Sequence, residues 1–249
     1  MSQKETLIAE TSNEEMSNEE NWSMVLTPKR GLFDINIREI IRYRDLVFLF
    51  VKRDFITQYK QTVLGPIWFV ITPLVSTVMY TFVFGNLAGI GTDGIPHVLF
   101  YYSGTLLWTF FTACFSTSSD VFISNAHIFG KVYFPRLVVP INYFFTHSIR
   151  ALIQFAMLMA FYIYYFASGA PIFPSWTMLL FPLLLVWLAA AGIGAGIIIS
   201  SLTTKYRDLR QIVGYVVHLA MYATPVVYPI SEIPQRFQWI AYKIGRAHV

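Results

Sequence analysis

The sequence predicts an all-α membrane protein, a polytopic transmembrane helical bundle preceded by an amphipathic interface helix. Three observations predict it. Charged residues are only 13% of the 249, while 55% are hydrophobic and 17% aromatic. A soluble domain carries about 25% charged residues and needs them to cover its surface. The apolar residues gather in five runs, each close to the roughly 20 residues with which a helix crosses a bilayer. The links between runs alternate between basic and free of Lys and Arg, as expected of a chain threaded through a membrane.

Residues 1–34 are rich in Glu, Ser and Asn and lack the apolar core of a signal peptide. They read as a disordered cytoplasmic tail. Residues 35–63 read as the interface helix. At about 100° per residue, Ile37, Ile40, Ile41, Val47, Phe48, Val51, Phe55 and Tyr59 fall on one side. Arg38, Arg42, Asp45, Lys52, Arg53 and Lys60 fall on the other, with Arg44 misplaced on the apolar side. A basic amphipathic helix directly before a hydrophobic span fits the membrane surface.

The permease region is expected over 64–243. Runs 64–84, 96–118 and 176–200 carry no charge, 138–166 carries only Arg150, and 212–228 is uncharged when His218 is neutral. Pro66, Pro73 and Pro182 fall in or near span ends, which membrane helices tolerate. Lys52, Arg53 and Lys60 precede the first span. Lys131 and Arg136 link the second to the third, and Lys205, Arg207 and Arg210 link the fourth to the fifth. The other two links hold Asp93 alone and no charge at all. The N-terminus and the basic links are therefore expected in the cytoplasm. Residues 244–249 resemble a translated sequencing adapter. The expectation is that the natural chain continues past Lys243, that 229–242 lies outside, and that a final span is missing.

Several chemistries are excluded. No phosphate-binding P-loop, no HExxH and no nucleophile elbow occurs. The single cysteine, Cys114, lies in an apolar run and reads as a small buried hydrophobe. No metal site is expected, and His147 and His218 read as satisfied polar residues. The net charge of +4 and the lack of a basic, aromatic-interleaved patch speak against a nucleic-acid partner. No acidic residue lies within a span, which argues against coupling to protons or sodium. Energy then comes from a partner protein. The link 125–136 is suited to meeting one, since it is polar yet carries Ile128, Phe129, Tyr133 and Phe134.

Four ordered motifs carry a family resemblance: Tyr59-Lys60-Gln61-Thr62-Val63-Leu64-Gly65-Pro66-Ile67-Trp68 with Pro73-Leu74; 125–140 centred on Lys131 to Arg136; Lys205-Tyr206-Arg207-Asp208; and 222–229. Together they resemble the membrane subunit of ABC-type polysaccharide exporters, over roughly 35–243. These exporters move lipid-linked O-antigen, capsule or teichoic acid chains. The resemblance implies about six spans, of which five are present here. It implies a homodimer in the bacterial inner membrane and a separate ATP-binding subunit that holds ATP and Mg, so that this chain needs no cofactor and is not itself an enzyme. It places Asn125, His127, Ile128, Phe129, Lys131 and Phe134 at the ATPase contact, and Arg38, Arg42, Lys52, Arg53, Tyr59 and Lys60 on the interface helix.

A pathway for a sugar polymer needs flat faces that stack on pyranose rings. Tyr80, Trp108 and Tyr143 are candidates. Tyr101, Tyr102, Tyr164 and Tyr165 can instead form the interfacial aromatic belt. Arg150 is expected near mid-bilayer, where an unpaired Arg costs several kcal/mol. It either faces a wet path and meets the polymer or its lipid pyrophosphate, or bonds backbone carbonyls or Gln154. Gly192, Gly194, Ala195 and Gly196 form a small-residue stripe suited to close helix packing. Export of a drug or lipid by the same architecture is an alternative. A membrane glycosyltransferase is another, disfavoured because the links are short and lack acidic metal-binding motifs.

Overall fold

A computed structural model describes residues 41–60, 62–131, 134–172, 176–206, 208–229 and 231, without the side chains of Trp176 and Thr177. The N-terminal tail, Arg38, most of 229–242 and the residues 244–249 lie outside the described set. The described part belongs to one unit, residues 38–249.

Eight α-helices follow one another among the described residues: α1 Arg44–Tyr59, α2 Trp68–Tyr80, α3 His97–Ser119, α4 Val121–Ser124, α5 Ala126–Phe129, α6 Val138–Ala167, α7 Phe181–Lys205 and α8 Leu209–Ala223. Four stretches are long and apolar enough to cross a bilayer: Gly65–Leu87, His97–Ser119, Val138–Ala167 and Met178–Lys205. The first joins a 3-10 turn, α2 and a π-helical segment Thr81–Leu87 into one rod. The fifth expected span is shorter than its apolar run. Helix α8 has 15 residues, which at 1.5 Å per residue is about 22 Å, less than the roughly 30 Å of hydrocarbon. The cause is Pro225. It drives the residue before it out of helical geometry, and Thr224 is extended at φ −95, ψ 149.

Helix α3 is the centre of the bundle and packs most extensively on α7, then on α6 and α2. Gly192 and Gly196 bring α7 against it. A Cβ built on Gly192 would meet the Phe111 carbonyl oxygen at 3.0 Å, and one on Gly196 the Phe115 carbonyl oxygen at 2.7 Å. Gly194 faces open space, and Ala195 is exposed. The packing stripe is thus the two glycines one turn apart, as in close-packed membrane helices. Thr203 Oγ1 extends the seam by donating to the Ser119 carbonyl (3.0 Å). The core beside it holds Tyr102, Leu106, Phe110, Cys114, Ala151, Leu185 and Leu188, with Phe155 and Phe181 stacked at 3.9 Å. Tyr101 and Tyr102 are 1% and 0% exposed. They are core residues and not part of an interfacial belt, because α3 is packed by α7, α6, α2 and α8.

The interface helix is rotated from its expected orientation. Val47 and Phe50 are buried against Val121, Phe134, Val138 and Val139, with Tyr43, Leu46 and Val51 at the margin. Phe48, from the expected apolar stripe, is 70% exposed, and Leu49 and Ile56 are also exposed. Arg42, Lys52 and Lys60 are exposed among them. So α1 presents one apolar side to protein and a mixed apolar and basic side outward, a pattern suited to snorkelling lysines. A single apolar arc could not satisfy both surfaces.

Polar ties fix α1 to the third span. Asn142, wholly buried, donates through Nδ2 to Asp54 Oδ2 (2.6 Å), while Arg53 pairs with Asp54 Oδ1 at 2.7 Å. Losing the acceptor leaves a buried amide unpaired, which costs about 1–3 kcal/mol. The half-exposed Arg53 contributes about 0–1 kcal/mol. Asp54→Ala is therefore expected to lower the thermal midpoint of the purified protein in detergent, and Arg53→Ala to leave it nearly unchanged. Arg210 pairs with Asp120 at 2.7 Å. With Thr203 on Ser119, this gathers the 120–137 and 205–210 links at one end of the bundle, where α1 also docks.

Candidate functional site

An open cavity of about 630 Å³ lies between the end of α1, helices α2, α3 and α6, and the face of α8. Its α3 wall carries Thr105, Thr109, Thr112 and Ser116. Spacings of four, three and four residues put these on one narrow face of a helix. Thr72 and Ser76 of α2 add two more hydroxyls, and Trp68, Trp108 and Tyr80 supply flat aromatic faces. Helix α8 closes one side with Gly214, Val217, His218 and Met221, and Tyr80 Oη donates to Met221 Sδ (3.7 Å). No carboxylate is among the lining residues.

Two of these hydroxyls have their protons engaged. Thr105 Oγ1 donates to the Tyr101 carbonyl (2.8 Å), and Thr112 Oγ1 to the Thr109 carbonyl (3.1 Å). A hydroxyl has one donor and two acceptor lone pairs. What these two present to the cavity is acceptor capacity, while Trp68, Trp108 and Gln58 bring N–H donors to the same lining. Such a wall can exchange single, neutral hydrogen bonds with a hydroxyl-rich molecule.

Arg150 reaches this cavity from α6. Its guanidinium carbon lies 5.3 Å from the centre of the Phe69 ring. A contact of that kind is worth about 0.5–2 kcal/mol, which orients the group without neutralising it. Its Nε is buried and unpartnered. Gln154 approaches the Phe69 carbonyl at 3.5 Å, not Arg150. No ion pair reaches Arg150 among the described residues. Tyr59, at the end of α1, packs edge-on against Phe69 with ring centres 4.6 Å apart, and its hydroxyl is also buried without a partner. Burial pushes the Tyr59 phenol up, with Arg150 pulling the other way, so it stays a neutral donor at physiological pH.

Three of the four expected channel residues, Tyr80, Trp108 and Arg150, line the cavity together. Tyr143 does not. Its hydroxyl accepts from Asn125 Nδ2 (2.9 Å) and holds the 120–137 link to α6. Tyr59, assigned from sequence to the interface helix, lines the cavity as well. The Thr/Ser stripe was missed, although its helical spacing stood in the sequence. Attention to aromatics alone passed over it.

The expected ATPase contact divides in two. His127 and Lys131 are exposed, as is Ala126. Ile128 and Phe129 are half-buried and pack against the cluster under α1. Asn125 and Phe134 are each 6% exposed, which removes them from any contact surface. Phe134 lies between Phe50 at 5.9 Å and Phe129 at 5.5 Å, and Asn125 is held by Tyr143 and the Val121 carbonyl. Phe129 and Phe134, which read as awaiting a partner, pack in the cluster under α1, whose docking face the sequence put elsewhere, and Tyr133 lies outside the described residues. Among the described residues no group of His, Cys, Asp or Glu is placed to hold a metal.

Apolar helices enclosing a hydroxyl-lined cavity, with their basic links at one end, define a multi-pass membrane transport permease. The chain belongs to the ABC-2 type transporter family, matched over residues 45–244. Membership implies a membrane setting and an ABC ATP-binding partner. Two relatives from Klebsiella pneumoniae, named O-antigen export system permease protein RfbA, are 29% identical over 196 residues, covering 79% of this chain and 73% of theirs. A Myxococcus xanthus protein of the same name is 25% identical over 197 residues, again 79% and 73%.

Proposed function

We propose that this chain is the membrane permease of an ATP-driven exporter that carries a polyprenol-linked polysaccharide, an O-antigen or similar chain, across the bacterial inner membrane. The N-terminus and basic links face the cytoplasm. Two copies assemble, and a separate subunit binds and hydrolyses ATP. The observation that carries the reading is the cavity wall: a stripe of hydroxyls beside Trp68, Trp108 and Tyr80, with no carboxylate. Sugar rings stack on aromatic faces and exchange hydrogen bonds with such hydroxyls. Neither contact holds strongly, which a moving polymer requires.

Coupling runs through the exposed edge of the 120–137 link. His127 and Lys131 meet the ATP-binding subunit, and the buried cluster beneath passes the movement to α1 and α6. Arg150 rides on α6, so the same displacement reshapes the cavity.

Deleting the gene is expected to remove the polysaccharide from the cell surface and leave lipid-linked chains inside, seen by surface staining and lipid extraction. His127→Glu with Lys131→Glu is expected to weaken co-purification of the ATP-binding subunit, with the permease still folded. Undiminished surface polysaccharide in the deletion strain overturns the reading.

A further inference from the structure

The end of the cavity at α1 differs from the rest. It holds the one Arg or Lys side chain among the lining residues. Arg150 Nε and the Tyr59 hydroxyl are buried without hydrogen-bond partners, and both residues line the cavity. Phe69 joins them, lying under the guanidinium and edge-on to Tyr59. The one acid at this end of α1, Asp54, is already engaged by Arg53 and Asn142.

An unpaired guanidinium inside a membrane domain is costly, and such residues mark substrate pathways. Water entering the cavity satisfies the hydrogen bonds but not the charge. A neutral sugar has the same shortcoming. A phosphate oxygen supplies both, since guanidinium–phosphate bonds are charge-assisted, and a neutral phenol adds a second donor. We propose that Arg150 and Tyr59 bind a phosphate group at the lipid end of the cargo, with Phe69 as the positioning residue that aims the guanidinium. This rests on the export reading above and adds a division of labour to it. The anionic lipid end is caught beside the interface helix, and the uncharged sugars follow along the hydroxyl stripe.

The test uses the full permease with its ATP-binding partner in nanodiscs of phosphatidylcholine. Binding of polyprenyl diphosphate and of polyprenol is followed by the fluorescence of Trp68 and Trp108. Wild type is expected to prefer the diphosphate. Losing a charge-assisted bond worth about 1.5–3 kcal/mol makes Arg150→Gln weaker for the diphosphate by about tenfold to a hundredfold. Arg150→Lys retains most of the affinity, and Tyr59→Phe loses about fivefold for one neutral donor. Polyprenol binding stays the same in all variants, which reports an intact fold. Equal diphosphate affinity in wild type and Arg150→Gln overturns the site. So does displacement of the diphosphate by equimolar phosphatidylglycerol, which would assign the donors to bilayer headgroups. Either result beside a deletion strain without surface polysaccharide removes the site and leaves the export reading standing. A deletion strain with normal surface polysaccharide removes the export reading itself.

Discussion

Gly196→Val is expected to abolish accumulation of folded permease. A Cβ at position 196 would lie 2.6 Å from Ser118 Cβ, 2.7 Å from the Phe115 carbonyl oxygen and 3.1 Å from the Ser119 backbone nitrogen. Two of these neighbours are backbone, so no rotamer change relieves the clash; α3 and α7 must separate. That separation also breaks the Thr203 bond to Ser119 and opens the core around Cys114 and Leu188. Inserting methylenes into a packed core costs about 1–3 kcal/mol even where side chains can yield. Backbone on both sides puts this substitution at or above about 3 kcal/mol. The measurement is size-exclusion of the detergent-extracted protein, where Gly196→Val should elute as aggregate or be missing. Gly194→Val, two residues away with nothing within 4 Å, should behave as wild type. A monodisperse Gly196→Val protein would mean that these helices do not meet as described.

The contrast between Gly194 and Gly196 illustrates what the sequence discloses. A small-residue stripe announces close packing, but only the partner helix decides which glycines face it. The spans were legible because a charge-free run near 20 residues has few other uses in a protein this poor in charge. Their ends were less so. Helix α7 runs to Lys205, past the apolar limit at 200, because Thr203 has a partner on α3. The coupling link was legible as an element but not in its orientation. Phe134 reads as a surface residue until α1 is placed over it, and Asn125 until Tyr143 is placed beside it. Arg150 was conspicuous as the one charge inside a span. Tyr59 was not, since nothing in its own helix pattern says that it lines the cavity with its hydroxyl unpartnered.

The second large effect is expected from Thr109→Trp, with surface polysaccharide falling steeply while the permease stays folded and bound to its ATP-binding partner. Thr109 is exposed on the cavity wall, midway along the stripe between Thr105 and Ser116, so an indole there fills empty space without displacing packed neighbours. The protein should therefore keep its thermal midpoint. A sugar chain passing that point must push the ring aside. At a steric barrier of about 3 kcal/mol, and about 1.4 kcal/mol per tenfold in rate, passage slows roughly a hundredfold. Thr109→Val keeps the volume and removes only the hydroxyl, so it should cost little, because the other hydroxyls of the wall share the load. Ile198→Trp, on a side chain 67% exposed on α7 and away from the cavity, adds the same bulk on the outside and should leave export intact. Space and hydrogen bonding are separated by the three variants. If Thr109→Trp exports normally, the polymer does not run along this face of α3, whatever the wall is made of. If Thr109→Val is as damaging as Thr109→Trp, the hydroxyls grip the cargo, and the weak-contact account of transit fails while the route itself survives.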